Sequence, residues 1–248
     1  MSTGQKIVFC QMGRLDYEEG WALQQRLQQR LITNKRSDSP QNIPHVCLLV
    51  EHPPVFTLGK SGKEANLIAS KEELEAAGAT FVKIDRGGDI TYHGPGQIVG
   101  YPILDLDRFY TDIHRYLRDL EEIIIQTCGH FGIKTDRFDG KTGVWVTEPA
   151  GSERKICAMG IRCSRWVTMH GFALNVATEI DHFAMIVPCG IQDRGVTSME
   201  MELLSRLDRT IVESEIAKNF AKVFDVEVEI KAFDDARTFL ETYLGGKA

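Results

Sequence analysis

Arg86-Gly87-Gly88-Asp89-Ile90-Thr91-Tyr92-His93-Gly94-Pro95-Gly96-Gln97 is the stretch from which the rest of the chain is read. Four glycines and a proline within eleven positions do not make an ordinary helix or strand. Such density calls for backbone at positive φ or in close approach to a ligand. The embedded Arg86, Thr91, Tyr92 and His93 are polar groups able to line that approach. A tight turn with incidental polar neighbours is the plain alternative, and the length and order of the run make it the weaker one. Neither Gly-x-Gly-x-x-Gly nor Gly-x-x-x-x-Gly-Lys-Ser/Thr occurs, so a loop that cradles a nucleotide's phosphates is disfavoured.

Outward from this stretch, Phe81–Ile84 reads as a strand entering the loop and Ile98–Leu104 as a strand leaving it. Ile7-Val8-Phe9 is a short strand. Val46–Val50 is an unbroken apolar run, the mark of a strand covered on both faces. Tyr17–Ile32 reads as a helix with Leu23, Leu27 and Leu31 on one face, ended by a polar loop from Lys35 to Pro44. Ser70-x-x-Glu73 is a capping box for a short helix stopping near Gly78. Ile113, Leu117, Leu120, Ile124 and Cys128 stripe a helix that Gly129 would cap. Val144-Trp145-Val146 and Ile156–Ile161 flank Pro149-Ala150-Gly151-Ser152 as a hairpin, and Trp166–Val176 continues as a strand after a turn around Ser164. Thr197-x-x-Glu200 and Thr210-x-x-Glu213 read as two further capping boxes, the second opening a helix with Ile216, Phe220, Val223 and Phe224 on one face. Interleaved helices and frequent hairpins predict an α+β fold, with mixed β-sheets flanked by helices.

The 248 residues, 43% apolar and 26% charged, suit a single domain over 1–248 with its core from about 7 to 228. A net charge of −6 argues against nucleic acid as a partner. No apolar run approaches the roughly 18 residues that span a bilayer. The N-terminus lacks a signal or transit pattern, so no membrane association and a cytoplasmic location are expected. The six cysteines are scattered, with no Cys-x-x-Cys pair, so neither a disulfide framework nor a metal site is expected. Five lie in apolar or strand-like stretches. The sixth, Cys189, lies between Pro188 and Gly190 at a turn, where a thiol is accessible. To act as a nucleophile it needs a nearby cation or base, and Lys155, His93 and His170 are the partners on offer.

Two further segments carry glycine inside strands. Lys155-Ile156-Cys157-Ala158-Met159-Gly160-Ile161 opens on a lysine, whose commonest fate is to snorkel at a strand end. His170-Gly171-Phe172-Ala173-Leu174-Asn175-Val176 is the other. Gly160 and Gly171 on neighbouring strands are what an elongated apolar ligand would require.

Taken in order, Arg86-Gly87-Gly88-x-x-Thr91-x-His93-Gly94-Pro95-Gly96-Gln97, Lys155-Ile156-x-Ala158-x-Gly160, His170-Gly171-x-Ala173-x-Asn175 and Pro188-Cys189-Gly190 resemble the lipoyl(octanoyl) transferase family. The likeness runs from Phe9 to about Phe224. It implies the fold of the biotin and lipoate protein ligases. It also implies transfer of octanoyl from octanoyl-acyl carrier protein to a lysine of lipoyl domains, such as 2-oxoacid dehydrogenase E2 subunits or glycine cleavage H protein. By the same resemblance Cys189 holds the acyl thioester and Lys155 activates it. The acyl-binding residues become Arg86, Gly87, Gly88, Asp89, Ile90, Thr91, Tyr92 and His93, then Ala158, Met159 and Gly160, then Gly171, Phe172 and Ala173. Cys157, where relatives often carry alanine or serine, and a longer 34–44 connection depart from the pattern without touching the reaction.

No cofactor is expected, because a thioester arrives already activated. Three rivals stand beside this reading: an ATP-dependent lipoate or biotin ligase of the same fold, a thiol hydrolase, and a non-catalytic acyl-carrier-binding module. Partners of this kind are acidic, so Arg154, Arg162 and Arg165 are candidates for a local positive docking patch.

Overall fold

β1 (Lys6–Arg14) sends Ile7 and Phe9 to one face of a sheet and Val8 and Cys10 to the other, and all four are buried. β2 (His45–Glu51) does the same with Cys47 and Leu49 against Val46, Leu48 and Val50. Both strands read as continuous apolar runs because helices cover both faces. The computed structural model describes residues 4–147, 153–187 and 195–246.

On one face lie α1 (Tyr17–Lys35), with Leu23, Leu27 and Leu31 inward, and α6 (Phe233–Leu244), with Ala236 and Leu240 inward. On the other lie α3 (Ile113–His130), contributing Leu120, Ile124 and Cys128, and α5 (Arg209–Phe224), contributing Ile216, Phe220 and Phe224. The remaining strands of the large sheet are β6 (Gln97–Ile103), β7 (Thr135–Phe138), β8 (Lys141–Thr147), β9 (Glu153–Ser164), β10 (Val167–Asn175), β11 (Gly195–Val196) and β12 (Glu227–Lys231). Their order is β12-β1-β2-β6-β10-β9-β8-β7, with β11 on β9. The β12–β1, β1–β2 and β11–β9 pairs are parallel and the others antiparallel, so the sheet is mixed. A smaller sheet joins β3 (Val55–Leu58) to β4 (Thr80–Lys83) in parallel and to β5 (Ile90–His93) in antiparallel register. The expected α+β architecture of mixed sheets flanked by helices is the one found.

Ser70 caps α2 (Lys71–Ala76) reciprocally with Glu73, as the sequence predicts. Four local expectations are corrected. Ile90–His93, inside the glycine-rich stretch, is a strand, because β3 supplies a partner that the stretch alone does not reveal. Gly129 lies within α3, which runs on to His130. Ser198, not Thr197, caps α4 (Met199–Leu203), and Asp208, not Thr210, caps α5. A better-placed acceptor stands one residue after Thr197 and two residues before Thr210. The five cysteines expected in apolar or strand-like stretches lie in strands or in α3: Cys10, Cys47, Cys128 and Cys157 are buried and Cys163, on β9, is half-buried. The turn between β8 and β9 lies outside the described residues. Arg165 and Trp166, at φ 51° and 60°, turn β9 into β10.

Candidate active site

The glycine-rich stretch is laid against β9. Gly87 N donates to the carbonyl of Ile161 at 3.0 Å, while Arg86 folds back to donate to Gly87 O at 2.7 Å and Asp89 O at 2.8 Å. Between this loop and the β9–β10 pair opens a cavity of about 640 Å³ whose wall is mostly apolar. Of the expected binding residues, Arg86, Gly87, Gly88, Asp89, Ile90, Thr91 and His93 line it. So do Ala158, Met159 and Gly160 of β9, and Gly171, Phe172 and Ala173 of β10. Tyr92 does not: it is buried in the core of the small sheet against Phe56 and stacks on His182 with ring centroids 4.8 Å apart.

The two strand glycines face each other in register, Gly171 opposite Gly160. Their reason differs from the one expected. A Cβ at Gly160 would stand 2.6 Å from Arg86 Cδ and 2.8 Å from Gly87 O, and one at Gly171 would stand 2.3 Å from Gly100 O. The Arg86 side chain with the loop backbone on one side, and β6 on the other, leave no room for side chains here, whether or not a ligand is present.

One end of the cavity is polar. His93 Nδ1 donates to Gln97 Oε1 at 2.8 Å, and burial, helped by the neighbouring His52, pushes its pKa down to about 3. His52 donates from Nδ1 to Leu15 O and accepts from Tyr101 Oη through Nε2, both at 2.7 Å, and burial lowers it to about 4. These tautomers follow from the partners' chemistry. His170, at φ 60°, donates from Nε2 to Asp85 Oδ1 at 2.9 Å. Burial lowers His170, while that hydrogen bond first and Arg162 next hold Asp85 below the usual carboxylate range. Both cavity histidines are therefore neutral near pH 7 and supply no positive charge.

Lys155 also lines the cavity. It sits on β9 between β8, opposite Trp145, and β11, opposite Val196. His170 pairs with Ile161, six positions further along β9 and so about 20 Å from Lys155. The Pro188-Cys189-Gly190 turn lies outside the described residues. The chain before it is pinned by Val187 N donating to Asn66 O at 2.8 Å. The chain after it resumes as β11, and Thr197 N donates to Lys155 O at 3.0 Å.

Sequence reasoning missed the scaffold behind this face. Gln97 donates to Asn175 Oδ1 at 2.9 Å, and Asn175 donates to Thr197 O at 3.0 Å, linking β6, β10 and the segment beside Lys155. Both residues were inside the quoted motifs, but their partnership is tertiary. Tyr17 and Tyr101, also on the wall, carried no signal beyond helix and strand membership. Of the three candidate docking arginines, Arg154 pairs with Glu202 through both carboxylate oxygens and Arg162 with Asp85.

With the geometry in place, comparison adds the relationships. The model for the lipoyl protein ligase A/B catalytic domain matches residues 16–221. An octanoyltransferase of Flavobacterium johnsoniae is 50% identical over 228 residues, which is 90% of this chain and 98% of that one. One of Cytophaga hutchinsonii is 46% identical, covering 92% and 96% respectively. Among solved structures, the bi-partite lipoate protein ligase of Thermoplasma acidophilum aligns over 98% of this chain and 92% of its own, with a TM-score of 0.64 at 12% identity. A lipoate-protein ligase A bound with ATP aligns over 98% and 94%, with a TM-score of 0.65, also at 12% identity. These two likenesses are of fold.

Proposed function

The chain belongs to the lipoyl protein ligase A/B catalytic domain family, and on that footing we propose that it is an octanoyltransferase, moving an octanoyl group from a thioester donor to a lysine of a lipoyl domain. The observation that carries this reading is the 50% identity, over nearly the whole of both chains, to a protein of that name. The donor we assign is octanoyl-acyl carrier protein. The acceptors are lipoyl-domain proteins such as E2 subunits and glycine cleavage H protein, met in the cytoplasm. No helix among the described residues is long and apolar enough to cross a membrane.

In the proposed reaction the Cys189 thiolate attacks the donor's thioester carbonyl. The carrier's thiolate leaves and takes up a proton, and the octanoyl group stays on Cys189 as a thioester. This exchange is nearly balanced in energy. The neutral amine of the acceptor lysine then attacks that carbonyl, loses a proton, and expels the Cys189 thiolate, leaving an amide. Amide formation is downhill and makes the transfer one-way. Lys155 supplies the positive charge that favours thiolate over thiol. The neutrality of His93 and His170 supports Lys155 in that role over either histidine. The acyl chain is assigned to the mostly apolar cavity between the glycine-rich loop and β9–β10.

The test supplies octanoyl-acyl carrier protein and an apo-lipoyl domain without nucleotide, and follows the acceptor's mass. Octanoylated acceptor is the expected product. Modification that appears only with ATP and free octanoate would make the chain a ligase, and release of free octanoate without acceptor modification would make it a hydrolase.

A further inference from the structure

Ile156 and Cys157 are neighbours in the chain, yet both are buried in the same core, beneath α3 and α5. In a regular strand adjacent side chains take opposite faces. The register gives the reason: Val144 stands opposite Cys157 and Trp145 opposite Lys155, so Ile156 is the extra residue of a β-bulge. The bulge resets the alternation of β9. Without it Lys155 would share a face with Cys157 and point into the core. With it Lys155 takes the opposite face, with Ala158, on the cavity wall.

The same face of β8 carries Trp145, and Lys155 Nζ stands 4.5 Å from the centroid of its ring system. Gly143, at φ 115°, completes the cradle. A Cβ there would lie 2.6 Å from Cys157 O and 3.6 Å from Lys155 Cε, so glycine leaves room for both the bulge and the lysine stem. A carboxylate in place of the ring would also hold the ammonium, but it would compete with a thiolate for the charge. An aromatic face attracts the cation while leaving its N–H donors to other acceptors.

Resting on the reading of Lys155 as the charged partner of Cys189, we propose that Trp145 is a positioning residue, which with the bulge at Ile156 and the space at Gly143 fixes the Lys155 ammonium for the transfer reaction. A lysine stem has four rotatable bonds, and the ring removes the freedom of the last of them.

Two measurements on the whole protein test this. In protein labelled at lysine Cε and assigned with Lys155→Arg, the ring current of Trp145 should displace the Lys155 signal from those of exposed lysines. Trp145→Leu should return it to their position. In a Trp21→Phe, Trp166→Phe background, successively fluorinated tryptophans weaken the ring's negative face with little change of shape. They should lower kcat stepwise, by about tenfold in all, while KM for the donor stays within about twofold. The fluorinated series decides even where Trp145→Leu fails to fold. An undisplaced Lys155 signal, or a kcat indifferent to fluorination, would overturn the proposal. Full transfer by Lys155→Met would remove the reading on which it rests and the positioning role with it, leaving the ring-current result to stand as packing only.

Discussion

Gly160 and Gly171 face each other across β9 and β10, and neither has room for a methyl group. Gly160 is closed by Arg86 and the loop that Arg86 braces, Gly171 by the backbone of β6. The consequences of filling the two positions differ accordingly. Gly171→Ala should lower stability by about 1–3 kcal/mol, because a carbonyl in a paired strand has to move. Gly160→Ala should cost less stability and more activity, since it displaces the binding loop. Denaturant melts and transfer assays with butanoyl, octanoyl and dodecanoyl donors check this. The chain-length preference should keep its shape in both variants. A shift toward butanoyl in either one would show that the added methyl projects into the acyl path instead.

His45, His52 and His93 are buried, and burial holds them near pKa values of about 3, 4 and 3. All three folded-state values lie below the ordinary value of 6.5. The unfolded chain therefore binds more protons over that interval, and stability is present above about pH 6.5 and lost as pH falls toward 4. Each histidine contributes about 1.4 kcal/mol per pH unit inside its window. The urea midpoint should be flat from pH 8 to 7 and fall steeply below about pH 6, with an uptake of roughly two to three protons on unfolding. A midpoint unchanged between pH 7 and 5 would contradict this account.

Asp85 joins the end of the small sheet to the large one by accepting from His170 and pairing with Arg162. Asp85→Asn keeps the shape and removes the charge. It should destabilise the fold by about 1–3 kcal/mol, because the buried His170 and the partly exposed Arg162 then face a weaker acceptor. Asp85→Glu should recover little of that loss, since the extra methylene moves the carboxylate. Calorimetry of the two variants decides, and wild-type melting in Asp85→Asn would show the contact to be incidental.

Much of the fold was legible because it is written locally. The Ser70–Glu73 box needs only four residues, the α1 stripe only a period of four, and the double-faced β2 only a run of apolar side chains. β3 and β5 were not legible, since each is four residues long and exists as a strand because the other pairs with it. The caps of α4 and α5 slipped because Ser198 and Asp208 are as good acceptors as Thr197 and Thr210. No expectation was formed for β12 and α6, which extend the large sheet beside β1 and help cover it. The site's motifs were visible as residue types. The bulge that aims Lys155 was not, because a bulge is defined by the partner strand and leaves no mark in β9 alone.

The choice of Lys155 over the histidines has a chemical signature. Lys155→Ala should slow alkylation of Cys189 by iodoacetamide near neutral pH by about tenfold or more and remove most of the transfer. His93→Ala should weaken transfer and leave alkylation near normal, because that histidine is neutral and donates to Gln97. Suppressed alkylation in the histidine variant, with normal alkylation in the lysine variant, would reassign the partner of Cys189.

The central claim is an acyl group held on Cys189 between donor and acceptor. Intact-mass measurement after mixing the protein with octanoyl-acyl carrier protein, in the absence of any acceptor, tests it most directly. The account predicts one added octanoyl unit, removed by hydroxylamine, mapped to Cys189 in the digested protein and missing from Cys189→Ser, which also loses transfer. A Cys189→Ser protein that transfers octanoyl at the wild-type rate, with no acyl group on the wild-type enzyme, would contradict it.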